Sequence, residues 1–149
     1  MSLKLQLYRQ CHNILKERLV VVRKSISDIK QALESETKST AGDKHETGRA
    51  MLQIEREKAG QQLAEIQKQF EILNKLNPNS TQKTGALGSI VFTSKANYFL
   101  SISTGELKAE NKSFYAISMA TPLAKMLVSK YEGDLIRFRG DTITITKII

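Results

Sequence analysis

The sequence is poor in the residues that cross-link or anchor small proteins. Cys11 is the only cysteine among 149 residues, and tryptophan is absent. A single cysteine excludes an internal disulfide framework and a four-cysteine zinc site. No apolar run approaches the roughly 20 residues that cross a bilayer, and the first residues lack the apolar stretch of a signal peptide. We therefore expect a cytoplasmic protein without a membrane segment, and the sequence predicts no role for Cys11.

Acidic residues are outnumbered by basic ones. The chain has 23 Lys and Arg against 15 Asp and Glu, which gives a net charge of +8 and a pI of about 9.6. Residues 1–77 contain 14 basic and 10 acidic residues and residues 78–149 contain 9 and 5, so each part carries +4. A positive field favours polyanions or acidic protein surfaces as partners without choosing between them. Because no basic tail stands apart, we expect the interaction surface on folded elements.

Apolar residues in the first half recur at alternating intervals of three and four. The first series is Leu5, Tyr8, His12, Leu15, Leu19, Val22, Ile26, Ile29 and Leu33. The second is Leu52, Ala59, Leu63, Ile66, Phe70 and Leu73, with Arg56 at one further position. This heptad spacing predicts an antiparallel coiled-coil arm over residues 1–77, with its tip near 36–49. Arms of about 30 residues would extend roughly 45 Å. On this seam His12 is expected to be a neutral, hydrogen-bonded core residue instead of a ligand.

In the second half of the sequence, apolar and polar residues alternate with a period near two. Pro78 ends the second helix because it lacks a backbone N–H, and residues 78–84 are expected to form a linker. Apolar alternation then predicts strands within 88–93, 97–103, 113–118, 135–139 and 142–148. Thr121 as N-cap and Pro122 in the first turn predict one helix between the strands within 113–118 and 135–139. The sequence therefore predicts an α+β protein in which the coiled coil precedes a small domain, residues 85–149, with a twisted antiparallel sheet and one helix.

Two carboxylates stand three residues apart at the expected start of the second helix. The segment reads Gly42-Asp43-Lys44-His45-Glu46-Thr47-Gly48-Arg49. Asp43 as N-cap and Glu46 three residues later would form a reciprocal capping box, worth about 0.5 to 2 kcal/mol for the cap. Alternatively, carboxylates at the end of an arm could supply oxygen ligands to a divalent cation in another macromolecule. His45 is either a solvated side chain or a further ligand.

Other patterns also allow two interpretations. The cluster Lys16, Arg18, Arg23 and Lys24 either contacts RNA or an acidic wall, or forms the solvated side of a helix. The glycines of 85–89 lack the continuation of a phosphate-binding loop and fit turns. Arg139-Gly140-Asp141 fits a hairpin turn. No grouping of Ser, His and Asp or of Cys and His supports an autonomous hydrolase.

The arm, the tip segment and the second half together resemble the bacterial transcript-cleavage factors of the GreA/GreB family. Gly42-Asp43-x-x-Glu46 resembles the start of the family motif Gly-Asp-Leu-x-Glu-Asn-Ala-Glu-Tyr. Leu87-Gly88-Ser89-Ile90-Val91 is similar to the opening strand of the family's second domain. Ile117-Ser118-Met119-Ala120-Thr121-Pro122-Leu123-Ala124 is similar to its Ile-Ser-x-x-Ser-Pro-Leu-Gly segment, and Tyr131-Glu132-Gly133-Asp134 follows where the family has Val-Gly-Asp.

The resemblance implies a coiled coil and an FKBP-like domain that docks on RNA polymerase while the arm enters the secondary channel. In that family the acidic tip helps hold a second Mg²⁺ at the polymerase active centre, where backtracked RNA is cut. Carried over, Asp43 is the expected Mg²⁺ ligand and Glu46 coordinates the ion or orients the attacking water. The partners are then RNA polymerase and the nascent RNA 3′ end. We expect a monomeric accessory factor, not an enzyme.

The tip also departs from the family motif. Lys44, Thr47, Arg49 and Ala50 replace Leu, Asn, Glu and Tyr, and added positive charge disfavours a bound cation. The alternative is a regulator of initiation or pausing that occupies the channel without cleavage. A prolyl isomerase, a coiled-coil adaptor and a nonspecific RNA binder are further alternatives. In the second domain, Thr121, Pro122, Leu123 and Tyr131 are candidate docking residues, although core packing explains several of them equally well.

Overall fold

The computed structural model describes residues 1–38 and 43–149, except for the side chains of residues 37, 38 and 43–46. In chain order the elements are α1 (Leu3–Lys38), α2 (Asp43–Lys75), β1 (Ile90–Thr93), β2 (Asn97–Ser101), β3 (Gly105–Ala109), β4 (Lys112–Ser118), α3 (Pro122–Leu127), β5 (Leu135–Phe138) and β6 (Asp141–Ile148). The predicted α+β class is confirmed. Among the described residues, no helix is both long and apolar enough to cross a membrane. The chain divides into a sheet unit, Met1–Ile14 with Phe70–Ile149, and a helical unit, Leu15–Gln69.

The helical unit contains parts of α1 and α2, and its apolar periodicity follows the prediction. Buried and half-buried positions alternate along α1 in the order Leu15, Leu19, Val22, Ile26, Ile29 and Leu33. On α2, Ala59 and Ile66 are buried, whereas Arg56 at the interrupted position is exposed. Because the buried positions fall every three or four residues, each helix has one buried apolar side. The remaining surface is mostly polar but includes exposed Val20 and Val21 on α1 and Met51 and Ile54 on α2.

The sheet unit contains a six-stranded sheet in the order β3-β4-β2-β1-β6-β5. Four of its neighbouring pairs are antiparallel, but β2 and β4 run parallel, with Tyr98 opposite Tyr115. The prediction of an antiparallel sheet is therefore wrong, because the sheet is mixed. The reason is β3, an edge strand that the sequence analysis missed. It returns the chain so that β4 enters between β2 and β3 in the direction of β2.

Strand β3 was missed because its composition is atypical of strands. Its residues are Gly105, Glu106, Leu107, Lys108 and Ala109. Glycine, glutamate, lysine and alanine are depleted in strands, and the segment has one large apolar residue. Pairing with β4 stabilises it, and Leu107 is buried opposite Phe114. Pairing with β4, and not the intrinsic preference of its residues, therefore makes this segment a strand.

The two faces of the sheet pack against different helices. The face that bears Val91, called the α3 face, contributes to a core of Val91, Tyr98, Leu100, Ala124, Leu127, Ile136, Ile143, Ile145 and Ile148. Helix α3 starts as predicted, because the Thr121 side chain accepts a hydrogen bond from the Ala124 N–H. Its buried residues are Ala124 and Leu127. The helix is thereby fixed on this face by both its cap and its apolar side.

The opposite face, called the α1 face, bears Phe99 and Phe114, both fully buried. The beginning of α1 covers part of it. Cys11 is fully buried, and its Sγ lies 4.0 Å from the Ser101 Oγ. The Gln10 amide donates a hydrogen bond of 2.9 Å to the Lys108 carbonyl. Cys11 therefore takes part in packing between α1 and the sheet, a role that the sequence did not predict.

His12 packs among aromatic rings at the base of the helices. Its ring centroid lies 5.8 Å from that of Tyr8 and 5.3 Å from that of Phe70, and the side chain is half-buried. These distances are typical of aromatic packing in cores. The His12 ring therefore packs against rings of both helices, and a neutral, hydrogen-bonded His12 stays a prediction.

A buried lysine joins the first turn of α1 to the linker. Lys4 is 3% exposed, and its Nζ donates a hydrogen bond of 3.0 Å to the Ser80 carbonyl. Burial lowers the pKa of this ammonium from its ordinary value of 10.5. The unfolded chain therefore keeps the proton to higher pH than the folded chain. As a result, the Lys4 contribution to the free energy of unfolding rises as pH increases from the folded pKa towards 10.5.

We predict that Lys4→Met removes this rise. The measurement is urea unfolding of the parent and the variant at several values between about pH 8 and pH 11, around the ordinary lysine pKa. Other groups, among them Tyr98 with its pKa raised by burial, contribute to both proteins and cancel in the difference. The free energy of unfolding of the parent minus that of Lys4→Met should increase as pH rises. A difference that is independent of pH would contradict this account.

Candidate functional site

The carboxylates of the acidic pair belong to the first turn of α2, which begins at Asp43. The side chains of Asp43, His45 and Glu46 lie outside the described residues, and so do the predicted capping box and the predicted metal ligands. In the helical backbone Asp43 and Glu46 are three residues apart, so both belong to one turn of α2. Negative charge in the first turn is favourable because the helix N-terminus carries a partial positive charge.

Described residues next to the pair bring α1 and α2 together. Arg49 Nη1 donates a hydrogen bond of 3.5 Å to the Leu33 carbonyl. The Glu36 carboxylate lies beside Gly48, where an added Cβ would stand 3.5 Å from Oε1. The end of α1 is therefore adjacent to the beginning of α2, as a chain reversal at this point requires. Glu36 is a further acidic side chain of this region that the sequence analysis did not select.

The donor set of this region suits a hard divalent cation. Aspartate and glutamate oxygens are the ligands that Mg²⁺ prefers, and Mg²⁺ usually takes only one or two protein carboxylates. The described residues contain no group of three or more His, Cys, Asp or Glu that could hold a metal ion.

The four basic residues selected on α1 do not form one patch. All four are exposed. At about 100° per residue, Lys16 and Arg23 differ by only about 20° around the helix, whereas Arg18 lies about 160° from Lys16. Lys24 Nζ lies 3.2 Å from Asp28 Oδ2, a surface pair of low energetic value. Lys30 is also exposed and, seven residues after Arg23, lies on the same side of α1 as Lys16 and Arg23. The sequence analysis did not select it.

The candidate docking residues around α3 fall into two groups. Thr121 accepts a hydrogen bond from the Ala124 N–H and donates one of 2.8 Å to the Ser118 carbonyl, so its hydroxyl serves the helix cap. Leu123 is half-buried and packs against the core of the α3 face. Pro122 and Tyr131 are exposed, the latter to 59%. Accessible surface for a partner is therefore provided by Pro122 and Tyr131.

Tyr131 also borders a groove that the sequence did not indicate. Its lining residues are Gln82, Lys83, Tyr131, Glu132 and Ile148, and its volume is about 410 Å³. The Tyr131 N–H donates a 2.8 Å hydrogen bond to Asp134 Oδ2, which fixes the turn that presents the ring. Leu135, exposed to 64%, is a further apolar side chain near this turn in sequence. Tyrosine is among the residue types enriched in binding hot spots.

The glycines of 85–89 are explained by close packing and turn geometry. A Cβ on Gly85 would stand 1.9 Å from the Leu127 carbonyl oxygen. Gly88 has a φ of +92°, which favours glycine. Ser89 is fully buried and its hydroxyl accepts a hydrogen bond from the Ala86 N–H. This segment therefore forms a packed turn, in agreement with the prediction from sequence.

Two comparisons with known proteins give no relative for this chain. No protein-family model and no curated protein matches it. The interpretation of the site therefore depends on its residues and their arrangement.

Proposed function

We propose that the chain is an RNA polymerase accessory factor of the GreA/GreB kind, in which an antiparallel coiled coil carries an acidic tip and an FKBP-like domain docks on the polymerase. The observation that carries the proposal is the position of the Gly42-Asp43-x-x-Glu46 segment where two helices of 36 and 33 residues succeed each other. The contact between Arg49 and Leu33 supports a chain reversal there. Such a segment is suited to entering a narrow channel, because only two helices need to pass.

The chemistry proposed for the tip is completion of a metal site in the polymerase. Asp43 is the proposed Mg²⁺ ligand, and Glu46 coordinates the ion or accepts a hydrogen bond from the attacking water. When bound, the ion would lower the pKa of water and neutralise charge on the phosphodiester. The chain itself contributes carboxylates at one turn of α2, and the polymerase remains the enzyme. Lys16 and Arg23 are proposed to follow the nascent RNA or an acidic channel wall, with Arg18 and Lys24 on other sides of α1.

The proposal is tested by adding the protein to halted bacterial RNA polymerase complexes that hold backtracked RNA. Release of short 3′ fragments, together with co-purification with polymerase, would support it. Binding with altered initiation or pausing but without fragment release would support the second candidate, a regulator without cleavage. Failure to bind polymerase would reject both.

The second candidate is favoured by the charge of the tip. Between residues 38 and 49 the sequence has three basic residues, Lys38, Lys44 and Arg49, against the two carboxylates of Asp43 and Glu46. Positive charge in the same segment raises the free energy of a bound cation by an amount that salt reduces. A tip of this charge could occupy the channel through contacts to acidic groups of the polymerase. Fragment release therefore discriminates directly between the candidates.

We predict that Tyr131→Ala weakens polymerase binding by about tenfold, since an exposed aromatic anchor typically contributes more than about 1 kcal/mol to an interface. The ring is 59% exposed, so the melting temperature should change little. Tyr115→Ala is the matched control, because Tyr115 is an exposed tyrosine of β4 with 40% exposure. The measurement is biolayer interferometry with immobilised polymerase. Equal losses in both variants, or none in Tyr131→Ala, would remove Tyr131 from the docking surface.

A further inference from the structure

Part of the α1 face bears an aromatic ring surrounded by basic side chains. Strand register places Phe92 of β1 opposite Lys147 of β6, so both project from the same face. Leu135 and Arg137 of β5 lie opposite Thr144 and Thr142 of β6, and they share this face because Ile136 and Ile143 occupy the other. We call Phe92, Lys112, Arg137 and Lys147 the Phe92 surface. Its three basic side chains are exposed and the Phe92 ring is half-buried.

The ring of Phe92 is oriented by its contact with the ring of Phe114. Its centroid lies 5.8 Å from that of Phe114, with the planes at 83°, which is an edge-to-face arrangement. Phe114 is fully buried and therefore cannot readily turn away. Two ammonium groups, Lys112 Nζ and Lys147 Nζ, each lie 5.8 Å from the Phe92 centroid. Both ammonium groups lie over the ring, so a base that stacks on Phe92 must displace these long side chains towards its own phosphates. The preoriented ring then offers a stacking surface, and the two lysines offer two charges for an anion.

Carboxylates do not neutralise this surface. Among the described residues of β1, β4, β5 and β6, the only acidic one is Asp141. Glu110 lies two residues before Lys112, and its Oε1 accepts a hydrogen bond of 3.4 Å from the Gln6 amide. The Asp141 Oδ2 lies 2.7 Å from Lys95 Nζ, and this contact raises the pKa of the Lys95 ammonium. Asp141 also stands opposite Phe138, whose ring packs against the core of the α3 face. The charges of Arg137 and Lys147 are thus available to an external polyanion.

We propose that the Phe92 surface binds single-stranded nucleic acid, with one base stacked on Phe92 and the adjacent phosphates contacted by Lys112 and Lys147. Arg137 contacts a phosphate further along the chain, because its register partner Thr142 lies five residues from Lys147 on β6. The charges alone would fit any polyanion, but an aromatic ring between cations favours a chain that alternates phosphates and flat bases. The exposed hydroxyl of Thr142 supplies a neutral hydrogen-bonding group on the same face. This site is separate from the acidic tip and does not depend on the proposed function.

The test uses the full chain and a fluorescein-labelled oligouridine of about ten nucleotides, within the usual site size of single-strand binding domains. Phe92→Leu should weaken binding about five- to a hundredfold, because stacking contributes this much per base, whereas Phe92→Tyr should retain the affinity of the parent. Lys112→Gln and Lys147→Gln should each reduce the slope of log affinity against log salt by about 0.7. Lys125→Gln, an exposed charge on α3, is the control and should leave both quantities unchanged.

Two further measurements separate this site from other sources of binding. Circular dichroism must show that Phe92→Leu remains folded at the assay temperature, and Phe92→Tyr provides the second, conservative variant. All titrations are repeated in a background of Lys16→Gln with Arg23→Gln, which removes two exposed basic charges from one side of α1. If Phe92→Leu binds the oligonucleotide like the parent in both backgrounds, the proposal is overturned. Weakened binding of a polyglutamate peptide with unchanged binding of the oligonucleotide would also overturn it, in favour of an acidic protein segment.

Discussion

Asp43→Asn and Glu46→Gln are each expected to lower the stimulated rate of RNA cleavage by about a hundredfold or more, because a direct metal ligand should matter at least as much as an outer-shell partner. Both substitutions keep the size of the side chain and remove its charge. Affinity for polymerase should remain close to that of the parent, since the proposed docking residues belong to the other unit. The measurement is the rate of 3′ fragment release from halted complexes, with binding measured separately on the same samples.

Glu34→Gln provides the matched control for this experiment. Glu34 is an exposed carboxylate of α1, so its substitution changes the net charge by the same amount without touching the acidic pair. Cleavage should then stay at the level of the parent. Raising the Mg²⁺ concentration should partly restore Asp43→Asn if the carboxylate acts through the ion. Cleavage that is equal in Asp43→Asn, Glu46→Gln and the parent would reject a role of the pair, even if the protein binds polymerase.

Much of the fold could be predicted because local signals and tertiary packing agree. The alternating spacing from Leu15 to Leu33 is determined by helix geometry, and the same positions are the less exposed ones. The helix after Thr121 has a cap whose chemistry is local. At the turn before β6, Arg139 and Gly140 have φ values of +51° and +84°, as a tight hairpin turn requires. Each of these features depends on residues close together in sequence.

The remaining features depend on contacts between distant residues. The parallel pairing of β2 with β4 depends on β3, whose composition does not favour a strand. The burial of Lys4 requires Ser80, which is 76 residues away. Among the candidate site residues, sequence alone could not separate Thr121, whose hydroxyl is used by the cap, from Tyr131, whose ring is exposed. Likewise, the Phe92 surface is formed by strands that only the sheet brings together.

Gly85→Ala is expected to lower the free energy of unfolding of the sheet unit by about 3 kcal/mol or more, which is in the range of substitutions that disturb a packed backbone. The added Cβ would stand 1.9 Å from the carbonyl oxygen and 2.8 Å from the carbonyl carbon of Leu127. Both atoms belong to the backbone, so no side-chain rotation relieves the clash. Gly85 also accepts a 2.8 Å hydrogen bond from the Ser129 N–H and donates one of 3.0 Å to the Lys130 carbonyl. Separating the two segments would break both bonds.

Gly60→Ala is the control for this substitution, because Gly60 lies inside α2 and its nearest atom is the terminal Nη1 of the flexible Arg56 side chain, at 3.2 Å. Alanine favours helix over glycine by up to about 1 kcal/mol, so this variant should be as stable as the parent or more so. Thermal and urea unfolding followed by circular dichroism measure both variants. Because Thr84, next to Gly85, pairs with Tyr131, Gly85→Ala should also displace the exposed ring and weaken polymerase binding in protein that remains folded. A Gly85→Ala protein as stable as the parent would show that the Gly85 backbone does not pack on the end of α3, and the proposed docking surface would then lack its support.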